Sequence, residues 1–147
     1  MLVMSVACTK EPVAPAEVPV SANMKAVESE LLQTVNEYRR SQGHPALNFS
    51  AVAYDFANRH TDYMIASGEI NHDGFSARAS EISAQVNARA VAENVAKDYP
   101  NAQEAFKGWV ESESHRKTME GEFTHTAVSV KVAPDGKLFF TQLFYLQ

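Results

Sequence analysis

The sequence has a single cysteine, no long apolar run and no excess of positive charge. Its 147 residues include Cys8 and no second cysteine, which excludes an intramolecular disulfide and a thiolate metal cluster. No stretch approaches the roughly 20 apolar residues that a membrane-spanning helix needs. The chain is therefore not expected to be an integral membrane protein. Its length fits one domain with a hydrophobic core.

The charge of the chain is negative, at -5 with a sequence pI near 5.5. Such a balance repels phosphate backbones, and the lysines and arginines do not cluster with interleaved aromatic residues. We therefore expect no nucleic-acid partner. Apolar residues at 45% and charged residues at 21% are typical of a soluble globular domain.

The N-terminal segment differs in composition from the rest of the chain. A short apolar run ends at Cys8, and a polar segment with Pro12, Pro15 and Pro19 follows. This arrangement resembles the end of a bacterial lipoprotein signal, in which Cys8 would receive the lipid. The segment lacks the basic region with which such signals begin, and a start codon placed too late would explain this. The alternative interpretation is an unprocessed cytoplasmic tail. We expect residues 1–23 to be a truncated signal with a Pro-rich tether, and residues 24–147 to be the domain.

The remaining sequence alternates between helical and extended patterns. Apolar spacing and capping residues predict helices over Met24–Gln42, from Ser50 to Gly68, over Ser76–Gln85 and from Asn101 onward, with a short strand over Arg89–Val95. A hairpin is predicted around Pro134–Gly136, and its second strand, Leu138–Leu146, is apolar on both faces. Helices should therefore cover that strand on both sides, which predicts an α+β fold with a sheet between helical layers.

Three polar positions are candidates for one functional site. The stretch Trp109–Arg116 joins a helical apolar pattern to His115, with Trp109 on the buried face. His72 lies in a turn, Asn71–Gly74, and Glu93 lies in the short strand. If the three meet, they form a cleft of two imidazoles and a carboxylate. His60, on the second helix, is interpreted as a packed or rim histidine.

Six short motifs resemble the CAP superfamily of cysteine-rich secretory, antigen-5 and pathogenesis-related proteins, in its bacterial extracytoplasmic branch. They are Asn36-Glu37-Tyr38-Arg39, Pro45-Ala46-Leu47, the His72 loop, Glu93-Asn94-Val95, Trp109-x-x-Ser112-x-x-His115-Arg116 and Thr141-Gln142-x-Phe144. The resemblance implies a three-layer α-β-α sandwich with a mainly antiparallel central sheet. It also implies a cavity containing His72, Glu93 and His115. The second cavity acid of eukaryotic members falls on Ser112 here, and Glu111 is its neighbour.

The site chemistry leaves several hypotheses open. On a continuous helix, Glu111 or Ser112 could contact His115. His72 and His115 could bind a divalent metal such as Zn²⁺, or the carboxylates could simply orient the imidazoles. Ser112 could also belong to a hydrolytic triad, although a capping or hydrogen-bonding role fits its position better. The whole group could equally be a structural polar cluster.

The resemblance leads to two functional hypotheses. The first is a monomeric extracytoplasmic binding or interaction module, held at the membrane only through a lipid anchor at Cys8, with a protein or an envelope or lipid component as its ligand. The second is a metal-assisted hydrolase, a peptidase or esterase, that uses the same cavity.

Overall fold

A computed structural model describes residues 17–147 of the chain, so Cys8, the predicted signal and the first part of the tether lie outside the described residues. The described elements include the predicted ones in the predicted order, together with a two-residue strand and a separate short helix that were not predicted. They are α1 (Lys25–Ser41), β1 (Asn48–Phe49), α2 (Ala51–Ser67), α3 (Phe75–Val86), β2 (Ala90–Lys97), α4 (Ala102–Glu111), α5 (Glu113–Met119), β3 (His125–Val132) and β4 (Leu138–Leu146). None of the helices in this part of the chain is long and apolar enough to cross a membrane.

The four strands form one sheet in the order β1-β3-β4-β2. The predicted hairpin is confirmed: β3 and β4 pair antiparallel around the Pro134–Gly136 turn, and β4 is central. β2 pairs antiparallel with the other side of β4. The resemblance implied a mainly antiparallel sheet. The two-residue strand β1 pairs parallel with β3, so the sheet contains both kinds of pairing and is mixed.

Helices cover both faces of β4, as its two apolar faces predicted. Phe140 and Phe144 point to one face, where they pack in a core with Leu31 of α1 and Trp109 of α4. Leu143 points to the opposite face and packs with residues of α2 and α3. Alternate side chains of a strand project to opposite faces, so a strand with both sets apolar requires a layer on each side. The α-β-α sandwich is therefore confirmed.

The stretch that was predicted as the end of one helix is two helices. α4 ends at Glu111 and α5 begins at Glu113, because Ser112 between them has an extended backbone with φ -97° and ψ 118°. Serine hydrogen-bonds readily outside a helix and is neutral to unfavourable within one. The expectation that Glu111 and His115 share the face of a continuous helix is therefore wrong.

The end of the predicted tether packs against the sheet. Asn23 bridges Lys131 of β3, and the amide of Val132 donates to the carbonyl of Ala22 at 3.2 Å. The amide of Ser21 donates to Asp62 of α2 at 2.8 Å. These contacts precede the domain boundary expected at residue 24, and they lie on the β1 side of β3, opposite to β2.

β2 is an edge strand, and part of its backbone points away from the sheet. The amide of Asp98 donates to the carbonyl of Leu138. Because hydrogen-bonded pairs alternate in an antiparallel ladder, Asn94 and the other even-numbered residues of β2 bond to β4, and the odd-numbered ones face outward. The carbonyl of Val95 is consistent with this pattern, because it accepts a hydrogen bond from Trp109 Nε1 at 3.2 Å.

Candidate functional site

Glu93 is the centre of a polar cluster on the α2 and α3 side of β2. Its side chain is 1% exposed. Arg78 of α3 donates from Nε to Glu93 Oε2 and from Nη2 to Oε1, each at 2.8 Å. His72 Nδ1 lies 2.9 Å from the same Oε1. Both carboxylate oxygens are therefore engaged, in a two-point geometry that only a guanidinium supplies.

The loop that carries His72 is fixed from two sides. His60 Nε2 of α2 donates to the carbonyl of Asn71 at 2.7 Å and lies 3.6 Å from Glu93 Oε1. Arg78 Nη1 donates to the carbonyl of Asp73 at 2.9 Å. Gly74 ends the loop with φ 70°, a conformation that favours glycine. The backbone on both sides of His72 is thus held in place.

His60 and Arg78 belong to this cluster, and the sequence did not indicate either role. His60 is buried, as a packed histidine would be, but it also joins α2 to the His72 loop and to Glu93. Arg78 is 15 residues from Glu93. Its helical pattern shows only that it lies on α3, so no signal in the sequence could pair it with Glu93.

His115 approaches from the opposite layer. Its Nδ1 lies 2.6 Å from Ser112 Oγ, and its ring stacks on Trp109 with centroids 6.5 Å apart. Asn94 donates to the backbone carbonyl of His115 at 3.1 Å. Asn94 follows Glu93 in β2 and points to the opposite face of the sheet. The edge strand therefore holds the His72 cluster on one face and the His115 helix on the other.

Glu111 and Ser112 take different positions relative to His115. Ser112 contacts the imidazole, as one hypothesis expected. Glu111 is exposed, and its carboxylate makes no hydrogen bond or ion pair with any residue between 17 and 147. The helix break at Ser112 separates it from the imidazole. Glu111, a candidate for the second acid of the cavity, therefore does not contact His115.

The cleft lies along the free edge of β2. It has a volume of about 280 Å³ and is lined by His72, Phe75, Val91, Ala92, Glu93 and Thr118. Phe75 comes from α3 and Thr118 from α5, so both helical layers contribute a wall. Burial lowers the pKa of His115, and the charge of nearby His72 lowers it further. The cleft therefore has a small apolar surface, and burial favours the neutral form of the nearby His115.

The donor atoms do not make a full metal site. Within residues 17–147, no group of three His, Cys, Asp or Glu side chains is placed to hold a metal ion. Glu93 is bound at both oxygens by Arg78, and Glu111 faces solvent. His72 and His115 would supply two nitrogens, whereas catalytic zinc sites have three protein ligands. The residues present therefore do not fit the Zn²⁺ site hypothesised for His72 and His115.

Acidification is expected to destabilise the fold through His60 and His115. Burial lowers the pKa of His60, although Glu93 opposes the effect, and burial likewise lowers that of His115. As pH falls below about 6.5, the unfolded chain binds protons that the folded chain does not. The stability present above that pH is then lost as pH falls through the folded pKa values. Urea unfolding between pH 8 and pH 5 measures this, and His60→Gln with His115→Gln should flatten the decline.

These observations define a class of protein, an α-β-α sandwich with a histidine and glutamate cleft at one edge of its sheet. Residues 32–144 match the family described as CAP: Cysteine-rich secretory protein family. That range covers most of the 147 residues, and the chain belongs to this family. The resemblance seen in the sequence motifs is confirmed. No functionally curated protein matches the sequence significantly.

Solved structures from three bacteria share the fold. An outer surface protein from Borrelia burgdorferi has a TM-score of 0.76 and 16% identity, covering 86% of this chain and 98% of that protein. An extracellular protein containing an SCP domain from Bacillus anthracis has a TM-score of 0.73 and 23% identity. The match covers 94% of this chain and 45% of that protein. A cysteine-rich secretory protein from Staphylococcus aureus has a TM-score of 0.71 and 18% identity. The match covers 88% of this chain and 40% of that protein. This chain thus spans less than half of the last two.

Proposed function

We propose that the protein is an extracytoplasmic binding module whose cleft takes an extended segment of a partner protein. Three similar structures are described as outer-surface, extracellular or secretory proteins, which supports a location outside the cytoplasm. A lipid anchor at Cys8 stays a prediction, since that residue lies outside the described part of the chain. The proposal concerns the cleft, because function resides in the site and not in the fold.

The observation that carries the proposal is the free edge of β2. The backbone groups of Val91 and Glu93 point away from β4, and both residues line the cleft. An exposed strand edge offers alternating N–H and C=O groups that an extended peptide can match. Pockets on both sides of such an edge select side chains. The cleft therefore has the hydrogen-bonding pattern that suits a polypeptide backbone.

The size and position of the cleft fit that role. Its volume of about 280 Å³ is at the lower end of ligand pockets, which range over roughly 300–1,000 Å³. It suits one or two side chains of a longer segment better than a whole lipid. Residues 22–24 join β3 on the sheet edge opposite to β2. The N-terminal segment therefore enters the domain at the sheet edge opposite to the cleft.

A hydrolase is the second candidate, and one contact favours it. Ser112 Oγ lies 2.6 Å from His115 Nδ1, the distance expected between a nucleophile and its base. Within residues 17–147, however, no carboxylate contacts the other nitrogen of His115 to orient it. Both oxygens of Glu93 are already bound, so the cleft offers no free carboxylate as general base. The contacts of the site favour binding over hydrolysis.

Two assays on the same preparations separate the candidates. For binding, amide chemical shifts of Val91, Glu93 and Thr118 are followed while N-acetylated tripeptide amides of varied sequence are added. We expect shifts at these three positions, and at least a tenfold loss of affinity in His72→Ala with His115→Ala. For hydrolysis, a broad ester and peptide panel is tested on the same proteins, and no turnover above the double variant is expected.

His44→Ala is the matched control, since it removes an imidazole from the connector between α1 and β1, outside the cleft. Neutral sugars and lipid vesicles serve as competing ligand classes. Changes in the amide chemical shifts with sugars or vesicles, and none with any peptide, would refute the peptide proposal. Turnover that is lost in Ser112→Ala, with the fold intact by circular dichroism, would establish the hydrolase instead.

A further inference from the structure

We infer that the Arg78–Glu93 pair holds His72 in its Nδ1–H tautomer, so that the cleft selects a ligand that donates a neutral hydrogen bond to His72 Nε2. The inference rests on the proposed binding function and specifies its ligand chemistry. The ligand group is an amide N–H or a hydroxyl, next to a small apolar group. Acceptor-only groups, such as ethers, tertiary amides and carboxylates, are excluded.

The tautomer follows from what each atom of the pair can do. A carboxylate that takes two N–H donors from Arg78 is an acceptor at both oxygens. His72 Nδ1, 2.9 Å from Glu93 Oε1, must then be the donor. In a neutral imidazole only one nitrogen carries a proton, so Nε2 is left with a lone pair. An orienting carboxylate that fixes the tautomer of a functional histidine is a general device.

Arg78 makes the arrangement rigid. Its two-point contact fixes both oxygens of Glu93, and its third donor fixes the carbonyl of Asp73, beside His72. His60 fixes the carbonyl of Asn71 on the other side. The carboxylate and the loop that carries the imidazole are thus held by the same guanidinium. Arg78 acts on the ligand through His72, and so it is a positioning residue.

The exposed side of the imidazole is available to a ligand. The side chain of His72 is 53% exposed, and within residues 17–147 its hydrogen bond to Glu93 is the single one the ring makes. Phe75, Val91 and Ala92 line the adjoining cleft and accept an apolar group. A donor placed at Nε2 can therefore carry a methyl or methylene group into this surface. An acceptor at the same place would face a lone pair and lose its hydrogen bond to water.

The tautomer can be measured without any ligand. Long-range ¹H–¹⁵N correlation spectra of the full chain at pH 8 distinguish the two ring nitrogens of each histidine. We expect His72 to show one tautomer, protonated at Nδ1. Glu93→Met with Arg78→Met replaces the pair by apolar groups of similar length, an exchange that proteins often tolerate. In that variant His72 should lose the single tautomer. Ser112→Ala removes contacts to His115 and Ser114 and none to His72, so it should leave His72 as in the unaltered protein.

The ligand class is tested with matched probes. Each pair differs by one donor: N-methylacetamide against N,N-dimethylacetamide, and 2-propanol against its methyl ether. At equal concentration, the donor of each pair should change the amide chemical shifts of Glu93 and Thr118 at least threefold more than the acceptor-only probe. Glu93→Met with Arg78→Met should abolish that difference. Equal shifts from donor and acceptor-only probes would overturn the ligand assignment.

The outcomes distinguish this inference from the proposed function. An Nε2-protonated His72 in the unaltered protein overturns the inference even if peptides bind. A His72 with the expected tautomer and no peptide binding overturns the proposed function while leaving the tautomer assignment intact. If the double variant does not fold, the spectrum of the unaltered protein and the probe pairs still decide the question.

Discussion

Lys131→Met is expected to lower the free energy of unfolding by about 3–5 kcal/mol, because it leaves a buried carboxylate without its charge partner. Lys131 Nζ lies 2.7 Å from Asp62 Oδ2, and the two side chains are 3% and 9% exposed. The other oxygen of Asp62 accepts from the amide of Ser21. After the substitution, this one amide would have to stabilise the charge. Urea unfolding at pH 7 measures the loss.

An exposed ion pair provides the comparison. Lys117 and Glu113 are 2.8 Å apart with both side chains 71% exposed, and removing such a pair costs roughly 0–1 kcal/mol. Lys117→Met is therefore expected to change stability by less than about 1 kcal/mol. Asp62→Leu combined with Lys131→Met should recover most of the loss, because neither charge is then left buried alone. A loss below 1 kcal/mol in Lys131→Met would contradict the assignment of this pair.

Arg39→Met is expected to destabilise the protein by about 3–5 kcal/mol, an estimate based on the net worth of hydrogen bonds from charged donors and the cost of unsatisfied carbonyls. Arg39 is 1% exposed, and burial lowers its pKa. Its Nε donates to the carbonyl of Pro45 at 2.9 Å. Its Nη1 donates to those of Met119 and Gly121 at 2.7 and 2.8 Å. Methionine fills part of the volume and leaves all three carbonyls without this donor.

The same substitution should alter the candidate site. Met119 is the last residue of α5, the helix that carries His115, so Arg39 links α1 to one wall of the cleft. The ring signals of His115 should broaden or shift in Arg39→Met, while those of His72 should change less. Arg40→Met is the matched control on the exposed side of the same turn, with an expected effect within about 0.5 kcal/mol. Equal effects at both positions would contradict the role of Arg39 as a buried link.

Much of the local structure could be predicted from the sequence. Ser50 caps α2 by accepting from the amide of Ala53, and Asn101 caps α4 by accepting from Glu104. Both caps were predicted because side chains of this type satisfy the free amides of a first turn. Trp109 is 2% exposed, as its spacing indicated. The apolar character of β4 on both faces predicted a sheet between two helical layers.

Other features could not be predicted because they depend on contacts between distant residues. Arg39 lies in the basic last turn of α1, a position usual at an exposed helix end, yet it is buried against a carbonyl of α5. The break at Ser112 changes one backbone angle pair and leaves the apolar spacing of α4 intact. A pattern of apolar residues reports which face of an element is buried, and it does not report which polar partner lies opposite.

The sequence by itself determined the order of elements, the two-sided burial of β4 and the motifs that identify the CAP family. It also indicated His72, Glu93 and His115 as candidates. Only the tertiary structure decided that Glu93 is bound by Arg78 and His72, that Glu111 faces solvent and that the cleft follows the free edge of β2. The physical reason is that hydrogen bonds at the site join α2, the His72 loop, α3 and β2, and the packing of the layers alone sets these distances.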